Sequence, residues 1–362
     1  MKRVRIPFVI VLVLTVAVFA FSTTSGAQEL KPMTLKMANA TPENSWFGKQ
    51  HKWWASEVEK RTGGKIKVQI FWMESLIKWK DMLPGIQSGM ADLGWVSSTY
   101  FPSQLPNYLM LDNLFNFGDD YVAAVLGLID TVDNEPNIKA EFAKQDIILI
   151  APHISGHAPI GTKKCLNSVK DLKGKSLRTY GGVRTDFYKN LGANPIFMSF
   201  SDMYEAIDRG TIDALGDMAI VLSNPFKFYE VVKCIYMNNP PGQHGPGGAQ
   251  ASGFYMSRGK FNSFPKDTQK MFLDLRREYG IRYAQTLIDD ERPTMEEWKT
   301  KHGVTFKDAS PEDQKFILEA GNKANDEMFK KQESEGHKGV RQVWDYYQKA
   351  RKKYETERAK KK

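Results

Sequence analysis

The chain has 362 residues, 41% hydrophobic and 26% charged, with a formal net charge of +9. Such a length and apolar content exclude a disordered chain and are enough for two cored domains. The basic excess is local: Lys2, Arg3 and Arg5 open the chain, and eight Lys or Arg against two Glu fill residues 349–362. The basic tail reads as a solvated helix end rather than a nucleic-acid site.

Residues 6–21 form an apolar run after the three N-terminal cations, and Ser25-Gly26-Ala27 offers small residues for cleavage. This is the pattern of a secretory signal peptide spanning residues 1–27, and the run is short for a retained membrane anchor. An exported chain meets an oxidising compartment, where Cys165 and Cys234 are free to pair or not. Two cysteines without a C-x-x-C do not make a zinc site.

In the first half, residues 35–39 read as a strand and Trp46 to Arg61 as a helix with Phe47, Trp54 and Val58 on one face. Ile66, Val68 and Ile70 alternate with Lys65, Lys67 and Gln69, the pattern of a half-buried strand. A helical face carries Trp79, Met82, Leu83 and Ile86, interrupted by Pro84, and residues 93–96 form the next strand. Helices are expected at 121–132 and 138–144, with a buried strand at 147–151. Residues 152–157 then read as a crossing into a second lobe.

The richest stretch is 171–217, which reads strand (175–179), helix (183–191), strand (195–200), helix capped by Ser201, and strand (212–215). Strands alternating with short helices predict parallel βα units, whose ligands bind beyond the carboxyl ends of the strands. Arg178 ends one of these strands, followed by Tyr180 and Gly181-Gly182. A guanidinium there suits a planar two-point grip on a carboxylate, with a structural salt bridge as the alternative. Ile86-x-x-Gly89-x-x-Asp92-x-Gly94 is echoed by Ile207-x-x-Gly210-x-x-Asp213-x-x-Gly216. Taken alone this is an ordinary helix-to-strand turn; in two separate α/β stretches it suggests two lobes of like topology. Further on, residues 224–232 read as a helix, 234–237 as a strand, 240–248 as a Gly/Pro loop at the lobe junction, and 253–257 as a strand of the first lobe. Helices follow at 266–302, kinked or broken by Pro293, then 311–334 and 340–357.

Several runs together resemble the solute-binding protein of a TRAP (tripartite ATP-independent periplasmic) transporter. They are D-L-K-G-x-x-x-R at 171–178, L-G-A-x-P at 191–195, S-F-S-D-M-Y-E-A-I-D-R-G-T-I-D at 199–213, and Lys227-Phe228-Tyr229-Glu230-Val231. The resemblance implies an α/β fold of two lobes around a central cleft, joined by crossing strands and C-terminal helices. The expected division is residues 28–152 plus 240–300 for lobe 1, 153–239 for lobe 2, and 301–362 as a helical region packing on both. It further implies that Arg178 clamps a substrate carboxylate and that the closed form is read by integral membrane permease subunits.

Two departures from the family pattern bear on the ligand. Asp217 stands where a D-G-x-E-N pattern places a substrate-contacting asparagine; an aspartate repels a second carboxylate but accepts from an ammonium or hydroxyl. Members that bind dicarboxylates or sialic acid resemble G-x-R where this chain has Gly156-His157-Ala158, so a second arginine is absent and His157 stands beside the gap. Ser97, Asn39, Tyr180, Tyr100, Trp95 and Glu74 complete the candidate ligand contacts, with Trp72 a further aromatic; His153 is the weaker of the two histidines here. Aromatics in strands are more often core. No nucleophile elbow, zincin helix or phosphate-binding loop marks an enzyme, and no metal or cofactor is called for. The expectation is a binder of a small organic acid, a monocarboxylate with a hydroxyl, keto or amino group, with a dicarboxylate as the alternative.

Overall fold

The computed structural model describes residues 29–118, 120–156, 158–199, 202–238 and 251–360. The expected signal peptide, Ser201 and the Gly/Pro loop lie outside the described residues. In the first sheet β1 (Met33–Ala38), β2 (Ile66–Phe71) and β3 (Leu93–Ser97) are parallel. β4 (Ile147–His153) and β10 (Ser252–Ser257) complete it, with β10 antiparallel to both its neighbours, in the order β2-β1-β3-β10-β4. β4 runs two residues beyond the expected strand, through Pro152. Its edge position permits this, because an edge strand can spare one ladder donor.

The second sheet holds β5 (Ile160–Thr162), β6 (Ser176–Thr179), β7 (Asn194–Phe197), β8 (Ala214–Leu215), β9 (Cys234–Met237) and β11 (Thr305–Asp308). Their order is β11-β9-β5-β8-β6-β7, with β6 parallel to β7 and β8, and β5 antiparallel to its neighbours. These are the two α/β lobes that the sequence implied.

The echoed motif has a physical role in both lobes. Asp92 accepts from the Lys36 N–H of β1 at 2.8 Å, and its own N–H donates to the Lys36 carbonyl at 2.9 Å. Asp213 makes the same reciprocal pair with Ser176 of β6, both bonds at 2.8 Å. Gly89 and Gly210 turn the chain between helix and strand at φ +75° and +71°, a region that side chains rarely adopt. Each lobe is thus started by one clip that sets the register of its central strand against the next.

Several elements differ from expectation. The helix expected at 224–232 is two single turns, Asn224–Phe226 and Phe228–Glu230, because Lys227 between them is left-handed at φ +56°. The helix Lys266–His302 continues through Pro293, with the Thr294 hydroxyl donating to the Asp290 carbonyl beside it. It buries Phe272, Leu275, Tyr279 and Tyr283 in the core of the first lobe and Trp298 in that of the second, where Trp298 donates to Asn224 Oδ1 at 2.7 Å. β11 follows it directly and was not foreseen. Cys165 and Cys234 form a disulfide, tying the segment after β5 to β9. The basic tail is not a free helix end: Val340–Ala359 packs on the helix Tyr121–Asn134, Tyr346 and Tyr354 donate to Asp130, and Arg358 pairs with Asp120 at 2.6 Å.

Candidate functional site

A cavity of about 140 Å³ opens between the lobes. Its walls come from the carboxyl ends of β1, β2, β3, β4 and β6, where such sheets place ligands. The ends of β1 and β2 supply Thr41, Met73 and Glu74; β3 and the turn after it supply Trp95, Ser97, Thr99 and Tyr100; Tyr180 faces them from the second lobe. Trp79 stacks on Tyr100 (centroids 5.4 Å apart, 14° between planes) and meets Trp95 edge-on at 4.5 Å. Tyr100, Trp95, Ser97, Glu74 and Tyr180, all candidate contacts from the sequence, thus line one cavity. Burial pushes the Tyr100 phenol up to about 12, with the Tyr180 hydroxyl adding to it and Arg178 opposing.

The floor is a column of rings. His51 stacks on His153 at 5.0 Å, and His153 stacks on Tyr283 at 4.9 Å. Trp95 Nε1 donates to His153 Nδ1 at 2.7 Å, which leaves the imidazole proton on Nε2, 2.8 Å from the Tyr279 hydroxyl. Burial holds His153 well below the usual imidazole range, and burial takes His51 down to about 3, so both rings are neutral. His153 lines the cavity, although the sequence ranked it below His157, which lies outside the described residues. Asn39 is not on the wall: its side chain pairs with His51 Nδ1 at 2.9 Å and accepts from Thr41, bracing the floor from behind. Trp72, too, packs beside His51, off the wall.

Arg178 is fully buried. Its Nε donates to the Met198 carbonyl at 3.1 Å and its Nη1 to the Gly216 carbonyl at 3.4 Å. Nη2 is buried without a hydrogen-bond partner among the described residues, and no carboxylate there forms an ion pair with this guanidinium. The Tyr180 ring lies over it, centroid 3.9 Å from Cζ, and it is the ring, not the guanidinium, that forms the cavity wall.

Asp217 does not line the cavity either. Its carboxylate accepts from the Tyr188 hydroxyl at 3.0 Å and from Thr179 Oγ1 and the Tyr180 N–H at 3.3 Å, with Arg184 Nε 3.4 Å away. Burial raises this carboxyl, while Arg184 and Arg178 pull the other way. Asp217 is left-handed at φ +55°, a conformation held by these bonds. Arg184 in turn donates to the Asp112 carbonyl of the first lobe at 3.1 Å. The polar partners that fix the turn after β8 are internal, so Asp217 orients the loop carrying Tyr180.

The sequence profile of the bacterial extracellular solute-binding proteins, family 7 (DctP), matches residues 37–332. The chain belongs to this family. The 2,3-diketo-L-gulonate-binding periplasmic protein YiaO of Escherichia coli is 24% identical over 88% of this chain and 92% of its own. A TRAP periplasmic solute-binding protein from Desulfovibrio salexigens superposes with a TM-score of 0.73 at 26% identity, covering 89% of this chain and 97% of its own. A marine metagenome TRAP solute-binding protein specific for aromatic acid ligands, solved with 3-hydroxybenzoate, gives 0.79 at 21% identity over 90% and 99%. The protein is thus a TRAP solute-binding protein, of a family of receptors rather than enzymes, and among its described residues no helix is long and apolar enough to cross a membrane.

Sequence reasoning missed several wall residues of this solute-binding protein, among them Phe47, Met73, Trp79, Phe226 and Tyr283. Tyr283 sits on a helix whose extent was legible, but nothing local says which of its faces meets a cleft built by other segments. Phe47 and Trp79 were read as core faces, and both line the cavity instead.

Proposed function

We propose that this solute-binding protein captures a small organic monocarboxylate bearing a hydroxyl, keto or amino group, holds its carboxylate on Arg178, and delivers it to the membrane permease subunits of a TRAP transporter. Residues 1–27 direct its export to the periplasm. The observation that carries the ligand reading is a guanidinium buried beside the interlobe cavity, with no carboxylate in ion-pair contact and Nη2 without a hydrogen-bond partner among the described residues. A buried cation left unpaired is costly, and an incoming carboxylate relieves that cost through two charge-assisted hydrogen bonds. Access requires the Tyr180 ring to swing off the guanidinium, and the positive-φ pair Gly181-Gly182 beside it provides the backbone freedom. Closure of the lobes on the acid then excludes water and shifts the population toward the form that the permease reads. The acids held by the relatives named above support this class of ligand.

The test is a thermal-shift screen over organic acids. At least one monocarboxylate is expected to raise Tm, since a ligand at about a hundred times its Kd adds about 2.7 kcal/mol to stability. No shift with any acid, or turnover of the acid, overturns the reading.

A further inference from the structure

The wall opposite Tyr180 carries a charge that the carboxylate grip does not explain. Glu74 is the only Asp, Glu, Lys or Arg on the cavity wall among the described residues. Its Oε1 accepts from the Trp79 N–H at 3.0 Å, whereas the nearest cation to Oε2 is Lys78, exposed and 3.6 Å away. Glu74 and its neighbour Met73 are both left-handed, at φ +58° and +53°, which is uncommon for side chains of this size. The pair is fixed by backbone bonds, Glu74 N–H to the Asn39 carbonyl at 3.0 Å and Met73 N–H to that of Thr41 at 3.4 Å. The chain therefore spends strain to turn a carboxylate into an otherwise uncharged, ring-lined space, as happens at ligand sites. Tyr180, whose ring lies over Arg178, lines the same cavity as Glu74 and Tyr100.

We infer that the ligand is an aromatic monocarboxylate carrying a hydroxyl or ammonium group, and that Glu74 selects for that donor and against a second carboxylate. This rests on the proposal that Arg178 holds the acid group. The flat faces of Trp79 and Tyr100 accept a planar ring by offset stacking. A hydroxyl or ammonium opposite the carboxylate donates to Glu74 Oε2, an unsubstituted ring leaves that oxygen without a ligand donor, and a second carboxylate is repelled. A site built around a hydrogen bond to its ligand rejects analogues that lack the donor.

The experiment measures Kd by calorimetry for 3- and 4-hydroxybenzoate, benzoate, isophthalate and succinate, on the wild type and on Glu74→Gln and Glu74→Asp. In the wild type, at least one hydroxybenzoate is expected to bind roughly tenfold or more tighter than benzoate, with isophthalate and succinate weaker still. Glu74→Gln should shrink the preference for hydroxybenzoate over benzoate to about threefold or less and improve isophthalate by about tenfold, while Glu74→Asp keeps part of the preference. Succinate binding the wild type as tightly as any aromatic acid, or the same ratios in Glu74→Gln, overturns the inference while leaving the anchor at Arg178 intact. Failure of all five acids to bind overturns the inference, while the anchor at Arg178 is judged by the thermal-shift screen. An unchanged Tm of the ligand-free variants confirms that they fold.

Discussion

His51 and His153 lie beneath the ligand space as neutral rings, and their burial ties stability to pH. His51 has a folded pKa of about 3, far below that of an unfolded histidine, so in the interval between them the unfolded chain binds the extra proton. The stabilising contribution of the neutral ring is complete above the unfolded pKa and is lost as pH falls toward 3. The slope in that interval is about 1.4 kcal/mol per pH unit for one such group. Glu141 works in the opposite sense: burial raises its carboxyl to about 7, so it favours the folded state as pH falls through the same range. Comparing wild type with His51→Gln cancels that opposing term. Urea unfolding at pH 6 and pH 5 is expected to show a pH slope shallower by about 1.4 kcal/mol per unit in the variant, and equal slopes would mean that His51 is not buried neutral. Residue positions were legible only where the pattern is local. Arg178 and Tyr180 could be placed at a strand end. The partners that bind Asp217 inside the second lobe, Tyr188 above all, come from a helix 29 positions away and carry no mark in the sequence.

The twin aspartate clips are the element-scale feature that the two halves of the chain share. Each joins a glycine-terminated helix to the start of a central strand through a pair of backbone-matched bonds. Replacing Asp92 or Asp213 with Ala removes an acceptor from a strand N–H, and for Asp92 also the ion pair with Lys260 at 3.0 Å; Asp213 is exposed and Asp92 half-buried, so the cost is modest, about 1 kcal/mol each. Differential scanning calorimetry should show each substitution lowering Tm by a degree or more, with Asp208→Ala, which lacks this bond to a strand, as the control; no change in either variant would show that the clips do not set register. Here the sequence was informative, because a repeated helix, glycine, aspartate and strand is a local pattern with one physical meaning. β11 escaped notice for the opposite reason. Thr305–Asp308 is short and half-exposed, and its pairing with Cys234–Met237 spans about seventy residues. The tail helix was misjudged likewise: its charges dominate its composition, while its docking depends on Asp120 and Asp130 far upstream.

For the molecule as a whole, the cavity is asymmetric. Most of its wall belongs to the first lobe, whereas the guanidinium proposed to hold the acid belongs to the second. A ligand whose ring rests on Trp79 and Tyr100 and whose carboxylate reaches Arg178 spans the crevice and ties the lobes together, so its binding energy is available to closure. The interlobe bond from Arg184 to the Asp112 carbonyl holds the same two bodies from behind. The most direct measurement is the affinity of Arg178→Lys, by calorimetry, for the acid that binds wild type best. A point charge cannot reproduce the paired hydrogen bonds of the fork, and an expected loss of roughly a hundredfold or more corresponds to about 2.7 kcal/mol. Affinity retained within about threefold, in a variant with the wild-type fold, would contradict the role of Arg178 as the carboxylate anchor.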